Sequence, residues 1–313
     1  MTKFCILLTD GLQQPGKDLI SLENEFNDRK GISAQELKGE IAGYDAIIVR
    51  GRTKMTPEVI ENAHKLKVIG RCGVGVDNID LDAAKAKGIT VVNAPVATTT
   101  SVAELTMGLI YSLAREIPRA SAGLKQGEWL KKSLVGVELN GKSLGIIGYG
   151  RIGAMVGKMA SSAGMRINAF DPYLTQESTF VDGGEILPFE QVLQNSDFIT
   201  IHTPLNGKTK HLIDQHAITQ MKDGVRIVCA ARGGIIDESA LLQGLNSGKI
   251  AGAALDVFEM EPPTNEELLK HPNLIATPHI GGQTSDSQLR ASIDIASEVL
   301  AALNGKELRW KIV

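Results

Sequence analysis

The stretch Ser143-Leu-Gly-Ile-Ile147-Gly148-Tyr-Gly150-Arg-Ile-Gly153, carried on to Arg166–Phe170 and Asp171, decides the fold. Ser143–Ile147 is a short apolar run and reads as a buried strand. The glycines follow it directly. Ala154–Ala163 then reads as a helix ended by Gly164, and the apolar run Arg166–Phe170 leads to Asp171. Strand, glycine turn, helix, strand and acid in this order form the dinucleotide fingerprint in its required context. Gly148 permits the tight turn, Gly150 lets the main chain approach a pyrophosphate, and Gly153 lets helix and strand pack closely. The helix N-terminus offers free N–H groups to the phosphates. A carboxylate at Asp171 accepts hydrogen bonds from the adenosine ribose. Phe170, Pro172 and Tyr173 give a 2′-phosphate no cationic grip, so NAD is expected rather than NADP. The competing reading is a ligand-free turn in a chain with 33 glycines. It leaves the flanking strand, helix and acid unexplained.

Working outward, the same alternation of short apolar runs and helical segments continues in both directions. The 313 residues suit two domains. Before the fingerprint, strands are expected at 3–9, 45–50, 67–71 and 89–93, with helices at 16–25, 57–64 and 80–87. Pro57 suits a first helical position behind Thr56, and Gly88 suits a left-handed helix end. Residues 94–100 break the rhythm. Ser101-Val-Ala-Glu104 has the form of a capping box opening a helix that runs to about Arg115. The alternation resumes at Lys142 and lasts to about 280. A last helix, Thr284 to Leu303, is expected to return to the first domain. The fold class is therefore α/β, with two doubly wound parallel-sheet domains. One is a Rossmann dinucleotide-binding domain, 98–283. The other is a flavodoxin-like substrate domain, 1–97 and 284–313.

Composition narrows the function classes. With 43% hydrophobic and 22% charged residues, the chain is neither a disordered tail nor a fibre. A net charge of −3 builds no basic face for nucleic acid or an anionic membrane. Cys5, Cys72 and Cys229 are too few and too scattered for a disulfide framework or a metal cluster, so no metal is expected. The first apolar run, Phe4–Leu8, is too short for a signal peptide, and no run is long enough to span a bilayer. The expected compartment is the cytoplasm.

Three later strands end in unusual chemistry: Val228-Cys-Ala230-Ala231-Arg232-Gly-Gly234, Leu255-Asp256-Val-Phe-Glu259-Met-Glu261 and Ala276-Thr-Pro-His279-Ile-Gly281-Gly282. Ligands of such sheets bind outside the carboxyl ends of strands, so Arg232, Glu261 and His279 are expected at one rim. Arg can grip a carboxylate with two parallel hydrogen bonds. His can donate or accept a hydroxyl proton near neutrality, and a neighbouring Glu favours and orients the imidazolium. Each has a plainer reading: a structural ion pair for Arg232, a loop acid for Glu261, a satisfied core histidine for His279. Glu259, Glu266 and Glu267 are read as exposed loop acids, and His64, His211, His216 and His271 as core histidines.

With these motifs in place, the sequence resembles the D-isomer-specific 2-hydroxyacid dehydrogenases over nearly its whole length. The likeness runs through Arg71-Cys-Gly-Val-Gly-Val-Asp-Asn78, Gly141-Lys142, the fingerprint and His202-Thr-Pro-Leu205. It continues through Ala231-Arg-Gly-Gly-Ile-Ile-Asp237, Gly252-Ala-Ala-Leu-Asp256 and Pro278-His-Ile-Gly-Gly282. The resemblance implies that Arg232, Glu261 and His279 are the catalytic set, and that NAD is the cofactor. It places Arg151 and Ile152 at the pyrophosphate turn and Thr203, with His202 and Pro204, on the cofactor phosphate or ribose. Asp256 falls on the nicotinamide carboxamide, and Ala230, Ala231, Arg232, His279, Gly281 and Gly282 fall along the same cofactor. Gly73, Val74 and Gly75 would offer main-chain N–H groups to the substrate carboxylate. Cys72 is read as inert packing.

Within the family the likeness is greatest to the branch that interconverts 3-phosphoglycerate and 3-phosphohydroxypyruvate at the start of serine synthesis. Arg50 matches a phosphate-binding Arg of that branch. Lys54, Lys131 and Lys132 are further candidates for the phosphate. The expected partners are a small 2-hydroxy or 2-oxo acid, phosphorylated, and a second copy of the chain. The dimer would use the helix from Ser101 and the segment 123–137. Serine feedback through a C-terminal regulatory domain is not expected in a chain ending at Val313. Rival readings are a glyoxylate, hydroxypyruvate or D-lactate reductase and an NAD-sensing corepressor-like binding protein.

Overall fold

The computed structural model describes residues 3–175 and 184–313. The chain divides into two compact units, Met1–Thr98 with Gly282–Val313, and Thr99–Gly281.

The first unit is built on one parallel sheet. β1 (Cys5–Leu8), β2 (Glu25–Asp28), β3 (Ala46–Val49), β4 (Val68–Arg71) and β5 (Thr90–Asn93) lie in the order β2-β1-β3-β4-β5. That is the flavodoxin-like order. β3 is buried along its whole length, as a central strand covered on both faces must be. Ile6, Leu8, Ala46 and Ile48 pack with Ala291, Ile295 and Val299 of the helix Ser285–Leu303. Leu7, Ile47, Val49, Ile69 and Val91 form the core on the other face. Gly70 on β4 lets the last helix approach, since a Cβ there would stand 2.5 Å from Val299 Cγ2. Thr284 caps that helix by accepting from the Ser287 N–H. Thr56 caps Pro57–Asn62 in the same way.

Three local expectations are corrected. The helix expected over 16–25 is Gln14–Ser21, and Glu25–Asp28 is a strand. Of that edge strand only Phe26 is half-buried, so no apolar alternation marks it. Its order comes from main-chain pairing with β1. A helix, Ala34–Glu40, stands where the alternation pointed to none, behind a complete Ser33/Glu36 capping box. Ser101 and Glu104, by contrast, form no cap. The helix Thr99–Arg115 starts two residues earlier and buries Ser101 inside it.

The second unit carries β6 (Ser143–Ile147), β7 (Arg166–Phe170), β8 (Glu185–Ile186), β9 (Phe198–Ile201), β10 (Val225–Cys229), β11 (Ile250–Leu255) and β12 (Leu274–Ala276). They form one parallel sheet in the order β12-β11-β10-β9-β6-β7-β8. The chain runs outward from β6 through β7, then returns to β9 on the other side of β6. Strand order reverses there, and ligands of open α/β sheets bind at the carboxyl ends beside such a reversal. Both faces are apolar: Ile147, Ile199, Ile201, Ile227 and Leu255 on one, Leu144, Ile146, Phe198, Val228 and Ala254 on the other.

Cys72 and Cys229 are buried, and burial pushes both thiols up to about 11. Such thiols are packing groups rather than nucleophiles. Among the described residues no helix is long and apolar enough to cross a membrane, and no group of three or more His, Cys, Asp or Glu side chains is disposed to hold a metal.

Candidate active site

The three fingerprint glycines serve different purposes. Gly148 has φ +91°, the left-handed region where glycine is at ease. A Cβ on it would also stand 2.9 Å from the His202 carbonyl carbon and from Thr203 Cγ2. A Cβ on Gly153 would collide with the Gly148 carbonyl oxygen, so helix Arg151–Ser162 sits tightly on the turn. Gly150, the N-cap of that helix, has open space over its α-carbon. Space there is what a pyrophosphate needs. Arg151 is exposed and Ile152 half-buried in the first turn.

The walls of this cradle carry hydrogen-bonding capacity. Asp171 Oδ2 accepts from the Tyr149 N–H at 2.9 Å, and Oδ1 accepts from the Tyr173 N–H at 3.0 Å. Each oxygen keeps a lone pair for a ribose hydroxyl. Across the turn, His202 Nε2 lies 3.0 Å from Thr200 Oγ1. His202 Nδ1 and Thr203 Oγ1 are buried with no partner among the described residues. Burial pulls the His202 imidazole from 6.5 to about 3, so the ring is neutral. Orphaned buried polar atoms cost about 1–3 kcal/mol each, which a ligand's hydroxyls or phosphates would offset. These residues fit a dinucleotide. Pro204 is exposed beyond them, and Ala230 and Ala231 follow β10 as small residues.

Arg232, Glu261 and His279 stand beyond the carboxyl ends of β10, β11 and β12, three neighbouring strands. His279 Nδ1 is 2.8 Å from Glu261 Oε2, with the two side chains 50% and 39% exposed. Glu261 Oε1 is fixed by the Phe258 N–H at 3.2 Å. With Nδ1 committed to the carboxylate, Nε2 is the ring nitrogen left for a substrate. The Arg232 turn reaches the Glu261 loop through Gly233, where a Cβ would collide with the Phe258 carbonyl. Arg232 itself is half-buried, with Nη1 donating to the Ala231 carbonyl at 2.6 Å.

His279 has φ +53°, a conformation costing a non-glycine residue about 1–2 kcal/mol. Asp256 holds it there. Its buried carboxylate accepts from Thr277 Oγ1 at 2.7 Å, from the Ile280 N–H at 2.8 Å and from the Gly281 N–H at 2.8 Å. Three of its acceptor sites are therefore spent on the His279 turn, although the resemblance places Asp256 on the nicotinamide carboxamide.

Other residues differ from their sequence reading. Glu259 is not a free loop acid, for its carboxylate lies 3.1 Å from His211 Nε2. Its N–H also donates to Glu238 Oε1 at 2.7 Å, while the Glu238 N–H donates back at 3.4 Å. This clasp ties the Glu261 loop to the start of helix Glu238–Asn246. Burial, and then the Glu259 carboxylate, push the Glu238 carboxyl up. His64 and His216 are exposed rather than in a core.

In the first unit, Gly73 has φ +143°, and a Cβ on it would collide with the Arg71 guanidinium. Its N–H already donates to the Arg71 carbonyl at 2.8 Å. The expected anion nest therefore reduces to Val74 and Gly75, whose N–H groups meet no acceptor among the described residues. Arg52 is spent on the carbonyls of Ile32 (3.0 Å) and Thr9 (2.9 Å) and on Asp10 (3.2 Å). Arg50 holds only the Gly282 carbonyl at 3.4 Å and Gln283 Oε1 at 3.3 Å, with no carboxylate partner among the described residues. Lys54, Lys131 and Lys132 are exposed. Asp10 and Asn78, which bind the Arg50 turn, do not stand out from sequence. Asn78 closes the Arg71–Asn78 motif, and Asp10 follows a strand end; neither position by itself points to Arg50.

A glycine cradle at the reversal of a Rossmann-ordered sheet, with a His–carboxylate pair beyond the same edge, defines a dinucleotide-binding α/β protein. Residues 107–281 match the family model "D-isomer specific 2-hydroxyacid dehydrogenase, NAD binding domain". The chain belongs to the D-isomer-specific 2-hydroxyacid dehydrogenase family, and its second unit carries that family's NAD-binding domain. It is 48% identical over 302 residues to a D-3-phosphoglycerate dehydrogenase of Methanocaldococcus jannaschii, covering 96% of this chain and 58% of that one. The chain thus spans a little over half the length of the curated relatives it matches. Among solved structures it resembles a glyoxylate reductase from Paecilomyes thermophila, with TM-score 0.91, 30% identity and coverage of 100% and 99% of the two chains. It also resembles a D-lactate dehydrogenase from Aquifex aeolicus complexed with NAD and lactic acid, with TM-score 0.84, 31% identity and 96% of each chain covered.

Proposed function

We propose that the chain is an NAD-dependent dehydrogenase that interconverts 3-phosphoglycerate and 3-phosphohydroxypyruvate. The chemistry rests on the His279–Glu261 pair, with Nδ1 anchored at 2.8 Å and Nε2 left for substrate. NAD, when bound, supplies the redox chemistry by accepting or giving the hydride at C2 of the substrate. In oxidation, neutral His279 takes the hydroxyl proton on Nε2. In reduction, protonated His279 returns it to the developing alkoxide. Glu261 holds the ring in place and offsets its positive charge. Arg232 is assigned to the substrate carboxylate, which it can grip through two parallel hydrogen bonds. Val74 and Gly75 are assigned to the same kind of anion.

Arg50 supports the phosphorylated substrate. It is a fixed cation with no carboxylate partner among the described residues, and a phosphate would supply the missing charge. The names of the relatives covering 90–97% of this chain point the same way. The deciding experiment compares kcat/KM for 3-phosphohydroxypyruvate and hydroxypyruvate in wild type and Arg50→Ala. A strong preference for the phosphorylated compound, largely removed by Arg50→Ala, is expected. Equal treatment of both compounds by wild type would discard the phosphoglycerate assignment and favour a hydroxypyruvate, glyoxylate or lactate reductase. No turnover with any 2-oxo acid would favour an NAD-sensing binding protein.

The enzyme is further proposed to be a cytoplasmic homodimer. Three unpaired cysteines suit a reducing compartment. Leu124, Trp129 and Val135 are 62%, 78% and 79% exposed within the segment read as the dimer contact, an apolar surface suited to a two-fold partner. Sedimentation showing only monomer at working concentration would remove the dimer.

A further inference from the structure

Arg50 sits on a turn bound from both sides. Asp10, directly after Thr9 beyond β1, has a carboxylate only 6% exposed. Its Oδ2 accepts from the Arg50 N–H at 2.7 Å and the Thr53 N–H at 3.1 Å, and its Oδ1 accepts from Thr53 Oγ1 at 2.6 Å. From the other side, Asn78 Nδ2 donates to the Arg50 carbonyl at 3.0 Å and to the Thr53 carbonyl at 2.6 Å. The Asn78 carbonyl in turn accepts from the Met55 N–H at 2.8 Å, fixing Asn78 to the chain just past the turn. The first and last residues of the turn thus have both their N–H and their C=O groups bound. The same grip does not extend to the Arg50 guanidinium, whose two acceptors stand at 3.3 and 3.4 Å. Gln283, one of those acceptors, is itself held by Gln288 Nε2 at 2.7 Å.

The main chain beneath Arg50 is therefore rigid while its charged end is loosely held. Neighbouring Arg52 is the reverse: both terminal nitrogens of its guanidinium are held, by Asp10 and two carbonyls. One amide cannot be swapped for another group of similar size without loss. Only Asn among small side chains offers two N–H donors that bridge two carbonyls while its own polar oxygen stays clear of them. A carboxylate in its place would confront two carbonyl oxygens.

We propose that Asn78 is a specificity-determining positioning residue, which fixes the Arg50–Thr53 turn so that Arg50 is aimed at the phosphate end of the substrate. This rests on the reading of Arg50 as the phosphate-binding cation. Asn78 makes no contact with substrate itself. A recognition cation displaced by about 1 Å can cost on the order of 10²-fold, so the loss of this brace is large enough to read.

The test is a cycle of wild type, Asn78→Ala, Arg50→Ala and the double variant, all saturated with NADH. The readout is the ratio of kcat/KM for 3-phosphohydroxypyruvate to that for hydroxypyruvate. Asn78→Ala should lower the ratio by about tenfold or more, chiefly through KM for the phosphorylated compound. In the Arg50→Ala background it should add little, because two residues acting through one contact are not additive. Asn78→Ser, which keeps one hydroxyl donor, should fall between wild type and Asn78→Ala, and it replaces Asn78→Ala if that variant does not fold. An unaltered ratio in a folded Asn78 variant overturns the proposal, as does an Asn78 effect that persists in full without Arg50. If Arg50→Ala itself leaves the ratio untouched, the phosphate reading has failed and the role of Asn78 falls with it.

Discussion

The two sheets meet the same problem in opposite ways. In Thr99–Gly281 the carboxylates beyond the end of β11 are partnered within the protein: Glu261 with His279, Glu259 with His211, and Asp256 with the turn it supports. In the other unit Arg50 keeps a charge that no carboxylate among the described residues neutralises. The difference suits the roles proposed for the two groups. A proton-transfer group must be oriented before substrate arrives, so its partners are built in. A recognition cation is most useful when the ligand supplies the counter-charge, so only its scaffold is built in.

The largest effect expected on this comparison comes from the partnered side. His279→Ala should lower turnover by about 10²–10⁴-fold, the usual scale for a positioned acid or base. NAD affinity, measured by fluorescence titration, should change little. Near-normal turnover would place the proton-transfer group elsewhere and remove the contrast between the two units.

A smaller effect concerns Asp171, whose oxygens already accept the Tyr149 and Tyr173 N–H groups. A 2′-phosphate would meet this carboxylate with no adjacent cation. At about 1–3 kcal/mol for a buried group left unsatisfied, kcat/KM should favour NAD over NADP by about 10–100-fold. Equal efficiency with both cofactors would show that the acid at the end of β7 does not read the ribose.

The last effect is on stability and leaves turnover aside. His202 titrates at about 3 in the fold instead of 6.5, because burial disfavours the imidazolium. A chain unfolding in acid therefore gains a proton there that the native state refuses. Its contribution to stability is complete above pH 6.5 and is lost as pH falls towards 3. Denaturant midpoints should drop over that range, and His202→Gln should flatten the drop. An identical slope in the variant would show that the ring is not held neutral by the fold.

Residues whose role is local are legible in the sequence itself. Strand–glycine–helix order, the left-handed positions of Gly148 and Gly88, and the Thr56 cap depend on neighbours a few places away. The Rossmann unit, its fingerprint and the three strand ends bearing Arg232, Glu261 and His279 follow from spacing alone. Strand β2 does not, because an exposed edge strand carries no apolar period. Ser101 shows the converse: a capping pattern lost to burial inside a longer helix.

Partnership is decided only in three dimensions. Nothing in Arg50-Gly-Arg52 says that one guanidinium is spent on Asp10 and two carbonyls while the other has no carboxylate partner. Nor does spacing tell that Asp256 supports the turn of a histidine 23 positions on, or that Glu259 finds His211. The physical reason is range. Backbone conformation and apolar period are set over a few residues, whereas the satisfaction of a buried or charged group depends on whatever the fold brings beside it, from any distance along the chain.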